Sequence, residues 1–135
     1  MPEYIFDINP VSASRPRVTR WNTHFPKRYT QFKRDMEAQT AKIDVPLTED
    51  LLYATVIFYV SLPKAWSKKK KRDMDGKYCD NNSDIDNYLK AILDSLTGVL
   101  YKDDKQFVSI KAEKIWSDVP RIHFVMEEVT YPSQS

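Results

Sequence analysis

Apolar and polar positions recur along this chain with two different periods, which predict four strands and three helices. Runs rich in β-branched and aromatic residues predict strands at 3–8, 51–62, 107–116 and 121–129. Apolar residues at helical spacing predict helices at 27–43 and 85–97, and a short helix should begin at Ser67 and end at Gly76. The last two strands are expected to form a hairpin across 117–120. This order predicts one α+β domain over residues 1–135, a mixed β-sheet with packed helices, ending in a loose tail at 129–135.

The segment 9–26 breaks both periods. It contains Pro10, Pro16 and Pro26 in a stretch rich in serine and asparagine, so no regular structure is expected there. Proline restricts the backbone around it to extended conformations. Arg15 and Arg17 should therefore be presented on a stiff arm.

The clearest predicted element is the helix at 85–97. Its apolar residues recur at helical spacing and form one stripe, made of Ile85, Tyr88, Leu89, Ile92, Leu93 and Leu96. Ser83 or Asp84 can supply an N-cap, and Gly98 stands where a left-handed residue closes a helix.

The composition is that of a globular protein, with 41% hydrophobic and 30% charged residues. No apolar run approaches the roughly 20 residues that a membrane span needs, and the first ten residues lack the layout of a signal peptide. Cys79 is the single cysteine, which excludes an internal disulfide and a four-cysteine zinc site. A reducing cytoplasm fits these features best, and no membrane partner is expected.

The net charge is only +2, yet the charges are segregated along the chain. Residues 8–34 contain seven basic residues and no acid, and residues 64–72 contain six more. Residues 73–104 reverse the balance, with eight acids against three lysines. One interpretation is that the basic stretches meet a polyanion while the acidic stretch holds a metal ion. The other is that all three are solvated faces.

Four carboxylates flank the helix at 85–97, namely Asp84, Asp86, Asp103 and Asp104. The helix is about 18 Å long, and the six steps from Gly98 to Asp104 can span about 20 Å when extended. The chain is thus just long enough to return the later pair to the helix N-terminus, beside Lys90. Whether it does return decides between two readings of these residues.

If the carboxylates converge, their mutual repulsion requires a cation, and oxygen ligands suit Mg²⁺ or Mn²⁺. If they do not, they cap and solubilise the helix. A calcium-binding EF-hand loop starting at Asp80 is excluded, because Ile85 and Ala91 stand where that loop needs glycine and glutamate.

The stretch 84–104, DIDNYLKAILDSLTGVLYKDD, resembles the signature of the RusA-type Holliday-junction resolvases. The family pattern is D-x-D-N, a lysine four residues after the second aspartate, an amphipathic helix and a D-D pair. It is matched here by Asp84, Asp86, Asn87, Lys90, Asp103 and Asp104. The segments RPR at 15–17 and AWSKKKKR at 65–72 are similar to the phage branch of the family.

The resemblance implies a RusA-like fold and a Mg²⁺-dependent endodeoxyribonuclease, with Mn²⁺ as a substitute ion. Such an enzyme works as a homodimer that resolves four-way or related branched DNA by paired symmetric nicks, in a bacterial or phage-infected cell. By resemblance, Asp84, Asp86 and Asp104 are the catalytic metal ligands, Asp103 is the weaker candidate, and Lys90 is a catalytic lysine.

The predicted DNA-binding residues are Arg15, Arg17, Lys68, Lys69, Lys70, Lys71 and Arg72. They are consecutive or carried on a loop, so we expect contacts to phosphates rather than to bases. The alternative function is a non-catalytic module that binds branched DNA with the same fold. The complete aspartate and lysine set favours the enzyme.

Overall fold

The computed structural model describes residues 2–14, 17–18, 23–24 and 26–131, with the backbone alone at 17–18 and 23–24. These residues form six strands and three helices. The strands are β1 (Glu3–Phe6), β2 (Arg17–Val18), β3 (Thr23–His24), β4 (Leu52–Ser61), β5 (Phe107–Ser117) and β6 (Arg121–Glu128). The helices are α1 (Lys27–Thr40), α2 (Lys68–Met74) and α3 (Ile85–Leu96).

A mixed four-stranded sheet with the strand order β1-β6-β4-β5 forms the centre of the fold. Strand β4 pairs with β5 in parallel and with β6 in antiparallel orientation, so it is hydrogen-bonded on both edges. Its alternate residues are buried, namely Leu52, Ala54, Val56, Phe58 and Val60. This α+β arrangement confirms the predicted fold class.

The predicted terminal hairpin is wrong. Strands β5 and β6 do not pair with each other, because β4 lies between them. The three residues 118–120 are long enough for this link, since strands two positions apart in a sheet are only about 10 Å apart. The most apolar strand, β4, takes one of the two inner positions of the sheet, where both edges are covered.

The segment 9–26 also departs from expectation, because it contains a short pair of strands. Arg17 pairs with His24 and Val18 with Thr23, between the second and third prolines of the segment. Arg15 and residues 132–135 lie outside the described residues. At the start of the predicted tail, the Val129 N–H donates to the Leu51 carbonyl at 2.9 Å.

Helices α1 and α3 cover one face of the sheet and build a single core with it. Tyr29, Phe32 and Met36 of α1 and the apolar stripe of α3 are the helical contribution to this core. Positions on the other sheet face, such as Tyr53 and Thr55, are exposed. None of the described helices is long and apolar enough to cross a membrane.

Two predicted helix ends move by a few residues. Helix α1 ends at Thr40 rather than 43, and the Thr40 hydroxyl donates to the Met36 carbonyl at 2.8 Å. Helix α3 ends at Leu96, and Gly98 has the expected positive φ of 83°.

Gln106 joins the turn before β5 to the turn before β4. Its amide oxygen accepts the backbone N–H groups of Lys102 and Asp103 at 3.0 and 2.8 Å. Its amide nitrogen donates to the carbonyls of Thr48 and Asp50, both at 2.9 Å. This buried side chain therefore fixes where the parallel pairing of β4 and β5 begins.

We predict that Gln106→Ala lowers the free energy of unfolding by about 2–4 kcal/mol, because it leaves several backbone groups in a buried site without partners. Denaturant unfolding measures this change. Gln39→Ala is the matched control, since Gln39 makes two hydrogen bonds to the backbone of Asp7 at a more exposed position. The control should lose about 1 kcal/mol or less. Equal losses in the two variants would contradict a clamping role for Gln106.

Candidate active site

The loop before α3 is held on the sheet by a half-buried lysine of β5. The Lys114 ammonium donates to the Asn81 side-chain oxygen at 2.8 Å and to the Ser83 carbonyl at 2.7 Å. The Asn81 amide nitrogen in turn donates to the Tyr88 hydroxyl at 2.8 Å, and the Tyr88 ring stacks on Phe58. These contacts fix the N-terminus of α3 near the carboxyl ends of β4 and β5.

Asp84 occupies the N-cap position of α3, but its side chain makes no capping hydrogen bond. Asp86 lies in the first turn of the same helix and is also exposed. Among the described residues, neither carboxylate has a hydrogen-bond or ion-pair partner. The capping role expected for Asp84 is therefore not filled, and two unpaired carboxylates lie side by side at the helix N-terminus.

Lys90 is one turn further along α3 and points its charge toward the other end of the helix. Its ammonium lies 3.8 Å from the Asp94 carboxylate, and both side chains are largely exposed. Such a surface pair contributes at most about 1 kcal/mol. Lys90 is therefore held only weakly and remains available to a ligand.

Asp103 and Asp104 differ in what their side chains do. Asp103 caps a short 3-10 turn (Asp104–Gln106), accepting the Lys105 N–H at 3.0 Å. This hydrogen bond lowers the pKa of the Asp103 carboxyl. Asp103 thus has a structural role, whereas Asp104 is exposed in the first turn.

The chain does not return the later aspartates to the N-terminus of α3. After Gly98 it folds back on the end of the helix, where the buried Tyr101 hydroxyl donates to the Leu93 carbonyl at 2.6 Å. Burial raises the pKa of Tyr101, so its phenol stays protonated for this bond. Asp104 is consequently left at the amino end of β5.

The two acidic pairs therefore lie at opposite ends of α3. The loop holding Asp84 is bonded to Lys114, whereas Asp104 precedes Phe107, the first residue of β5. The seven residue-to-residue steps of strand from Phe107 to Lys114 correspond to about 23 Å. Within the described residues, no group of three or more His, Cys, Asp or Glu side chains is placed to hold a metal ion.

Three basic segments are connected through their contacts or through the chain to the end that carries Asp84 and Asp86. The first is α2, whose four lysines and Arg72 are mostly exposed. Trp66 fixes this helix by packing edge-on against Trp116 of β5, with the two ring centres 5.0 Å apart. The Lys70 ammonium of the helix lies 4.4 Å from the Trp66 ring centre. The segment after α2 then pairs with β5, the Cys79 N–H donating to the Lys114 carbonyl at 2.8 Å.

The second basic segment is the arm that carries Arg15 and Arg17. The side chains of both arginines lie outside the described residues. The chain just before these arginines lies beside α3, because the Ala13 N–H donates to the Asn87 carbonyl at 2.9 Å. The starting point of the arm is therefore at the same end as Asp84 and Asp86.

The third basic segment is the start of α1. Together with the arm and α3 it encloses a cavity of about 230 Å³, whose polar lining includes Ser12, Ser14, Lys27, Arg28, Ser83 and Tyr88. Sequence reasoning placed Lys27 and Arg28 in a basic run but did not assign them to the site. The signal was their position just after Pro26, at the start of a helix.

Lys114 was also missed at the level of sequence. It alternates with Ala112 and Trp116 on one face of β5, and this face turns toward α3. A lysine among side chains that pack against the core must have polar partners for its ammonium group. That pattern was the available signal.

Comparison with known proteins identifies the family of this chain. Residues 7–127 match the family Endodeoxyribonuclease RusA, which is most of the chain. The uncharacterized protein YqaN of Bacillus subtilis (strain 168) is 30% identical over 135 residues, covering 90% of this chain and 92% of that protein. The chain therefore belongs to the RusA endodeoxyribonuclease family.

Proposed function

We propose that this protein is a Mg²⁺-dependent endonuclease that resolves Holliday junctions or related branched DNA by paired, symmetric nicks. Family membership supports the reaction class. The observation that carries the proposal is the pair of unpartnered carboxylates at the start of α3, with the basic residues Lys27 and Arg28 at a pocket that Ser83 also lines.

Asp84 and Asp86 are suited to a hard divalent cation. Both present exposed oxygen ligands, and their spacing places them on the first turn of one helix. Asp104 is the proposed third ligand, Asp103 is the weaker candidate because it caps a turn, and Mn²⁺ is the proposed substitute ion. The cation would activate water and neutralise charge on the phosphate under attack.

A site that uses Asp84 and Asp104 together requires two copies of the chain. In one copy the two residues lie at opposite ends of α3, because Lys114, which anchors the loop before Asp84, and Phe107, which follows the turn of Asp104, are about 23 Å apart along β5. A homodimer with the copies running in opposite directions would bring each Asp104 to the other copy's Asp84. Two such sites related by a two-fold axis also match a four-way junction, which must be nicked twice.

Lys90 and the basic segments would act on the DNA. Lys90 is one turn from Asp86 and weakly held, so its ammonium can move to the scissile phosphate or the leaving oxygen. The arm with Arg15 and Arg17, together with α2, would bind phosphates on either side of the reacting bond. These contacts would orient the strand over Asp84.

We predict that Asp86→Asn lowers the rate of Mg²⁺-dependent cleavage of a synthetic four-way junction by several orders of magnitude while leaving the fold intact. The carboxylate makes no hydrogen bond, so the free energy of unfolding should change by less than about 0.5 kcal/mol. Junction binding in EDTA should be equal to or tighter than that of the wild type, because repulsion of the phosphates falls. Asp84→Asn and Asp104→Asn should behave alike.

Asp80→Asn is the matched control for loss of one negative charge from the same acidic stretch. It should keep cleavage near the wild-type rate. A folded Asp86→Asn protein that still cuts at the wild-type rate would refute the metal-site assignment. If Asp86→Asn unfolds the protein instead, the Asp86 carboxylate stabilises the N-terminus of the helix rather than binding a metal ion.

We predict that replacing Lys68–Arg72 by alanine flattens the salt dependence of junction binding. Each phosphate contact that is lost should reduce the slope of log affinity against log salt by about 0.9. Lys42→Ala, just beyond the other end of α1, is the control and should leave the slope unchanged. A slope that does not respond to the α2 substitutions would mean that this helix only improves solubility.

The alternative function is a non-catalytic module that binds branched DNA. It predicts the same salt dependence but no Mg²⁺-dependent nicking by the wild type. Nicking of a four-way junction compared with linear duplex therefore separates the two functions.

A further inference from the structure

The cavity at the start of α1 is lined by groups that can donate hydrogen bonds. It measures about 230 Å³, and its lining includes two cations and three hydroxyl residues, namely Lys27, Arg28, Ser12, Ser14 and Ser83. No carboxylate of the described residues lines it. Within the same part of the chain, none of these five side chains has a hydrogen-bond or ion-pair partner. Unused donors and positive charge around one opening are suited to an oxyanion.

Two walls of this cavity are fixed by hydrogen bonds. The stretch 12–14 is held on α3 by the Ala13 N–H, which donates to the Asn87 carbonyl at 2.9 Å. Ser83 is held through its carbonyl, which accepts the Lys114 ammonium at 2.7 Å. Both bonds use a backbone group of the wall, so the serine hydroxyls remain available to a ligand.

The cavity lies directly beside the proposed metal site. Ser83 lines the cavity, and Asp84 is the next residue of the chain. Consecutive Cα atoms are about 3.8 Å apart. A DNA strand carries one phosphate per nucleotide. A strand whose scissile phosphate lies at Asp84 therefore has further phosphates close to the cavity.

We propose that this cavity binds one phosphodiester of the substrate strand, a near neighbour of the phosphate that is cut. The Arg28 guanidinium can bind two phosphate oxygens at once. The Lys27 ammonium adds a second positive charge, and the serine hydroxyls can donate to the remaining oxygens. The inference rests on the proposed endonuclease function, and it adds a phosphate subsite with named residues.

A phosphate suits this cavity better than a larger organic ligand or a base. Its volume is below the roughly 300–1,000 Å³ of sites that enclose a drug-sized molecule. The described lining contains no asparagine, glutamine or carboxylate, which are the side chains that pair with adenine and cytosine edges. Phosphate and sugar receive roughly half to two-thirds of protein–DNA hydrogen bonds.

The cavity also differs from α2 in the way it can bind DNA. The lysines of α2 are consecutive and exposed, so together they can reach several phosphates. The cavity is concave and has fixed walls, so it holds one phosphate in one place. A phosphate held there sets the position of the strand over Asp84, which general electrostatic attraction does not.

Neutral phosphates test this subsite at the resolution of single nucleotides. In a synthetic four-way junction, each phosphate near the cut, except the one that is cut, is replaced in turn by an uncharged methylphosphonate. One such replacement should lower the single-turnover cleavage rate of the wild type, at subsaturating enzyme with Mg²⁺, by about 10- to 100-fold. This is the range expected for loss of a hydrogen-bonded contact to a charged group.

The variant that removes the charge of the cavity combines Lys27→Gln with Arg28→Gln. Both residues are exposed, so the fold should be retained. This variant should cleave the unmodified junction about as slowly as the wild type cleaves the sensitive one, and it should no longer respond to that replacement. Arg34→Gln is the matched control, because Arg34 is an exposed residue of the same helix outside the cavity, and it should respond like the wild type. Ser83→Ala removes one hydroxyl, keeps the carbonyl that binds Lys114, and should reduce the response in part.

The outcomes separate the subsite from the enzyme. A double variant that responds to the same replacement as strongly as the wild type would overturn the subsite and leave the endonuclease standing. So would a cleaving wild type for which no neutral phosphate matters. If the wild type does not cleave, the proposed function fails, and the same junctions are compared by binding in EDTA. Weaker binding at one position for the wild type but not for the double variant would then support the subsite, and equal losses would overturn it.

Discussion

The parallel pairing of β4 with β5 is the constraint on which the rest of this structure depends. Parallel strands cannot be joined by a tight turn, so the chain must cross over the sheet before β5 can begin. Both α2 and α3 lie in that crossover. The basic helix and the acidic helix start are thus brought to the carboxyl end of the two strands, and the later aspartates are left at the amino end.

Local sequence patterns predicted the helices and strands well, because the spacing of apolar residues within one element depends only on which of its faces is buried. The alternation in 51–62 and the apolar stripe in 85–97 reflect burial on one face, and both elements formed close to the expected bounds. Strand pairing is different, because it depends on which strands take the inner positions of the sheet, where both edges are hydrogen-bonded. The hairpin prediction failed for that reason, since short loops join neighbours in sequence without making them neighbours in the sheet.

The candidate site also combines features that depend on local sequence with features that depend on distant contacts. The Asp84 and Asp86 pair could be placed from sequence because a helix start fixes two residues relative to each other. The position of Asp104 depends on the path of the turn after Gly98, and chain length only bounded that path. The bonds of Gln106 and Tyr101 decided it. Lys114 was hidden because its partners, Asn81 and Ser83, are more than 30 residues away in sequence.

The pairing of β1 with β6 carries a consequence for how the protein is made. Tyr4 lies opposite Phe124, so β1 leaves the ribosome long before its partner β6 has been synthesised. Synthesis adds about 5–20 residues per second, which leaves β1 without a sheet for several seconds or more. During that interval Phe6 has no core to enter. The nascent chain is therefore exposed to aggregation and to chaperones until β6 emerges and the sheet can close.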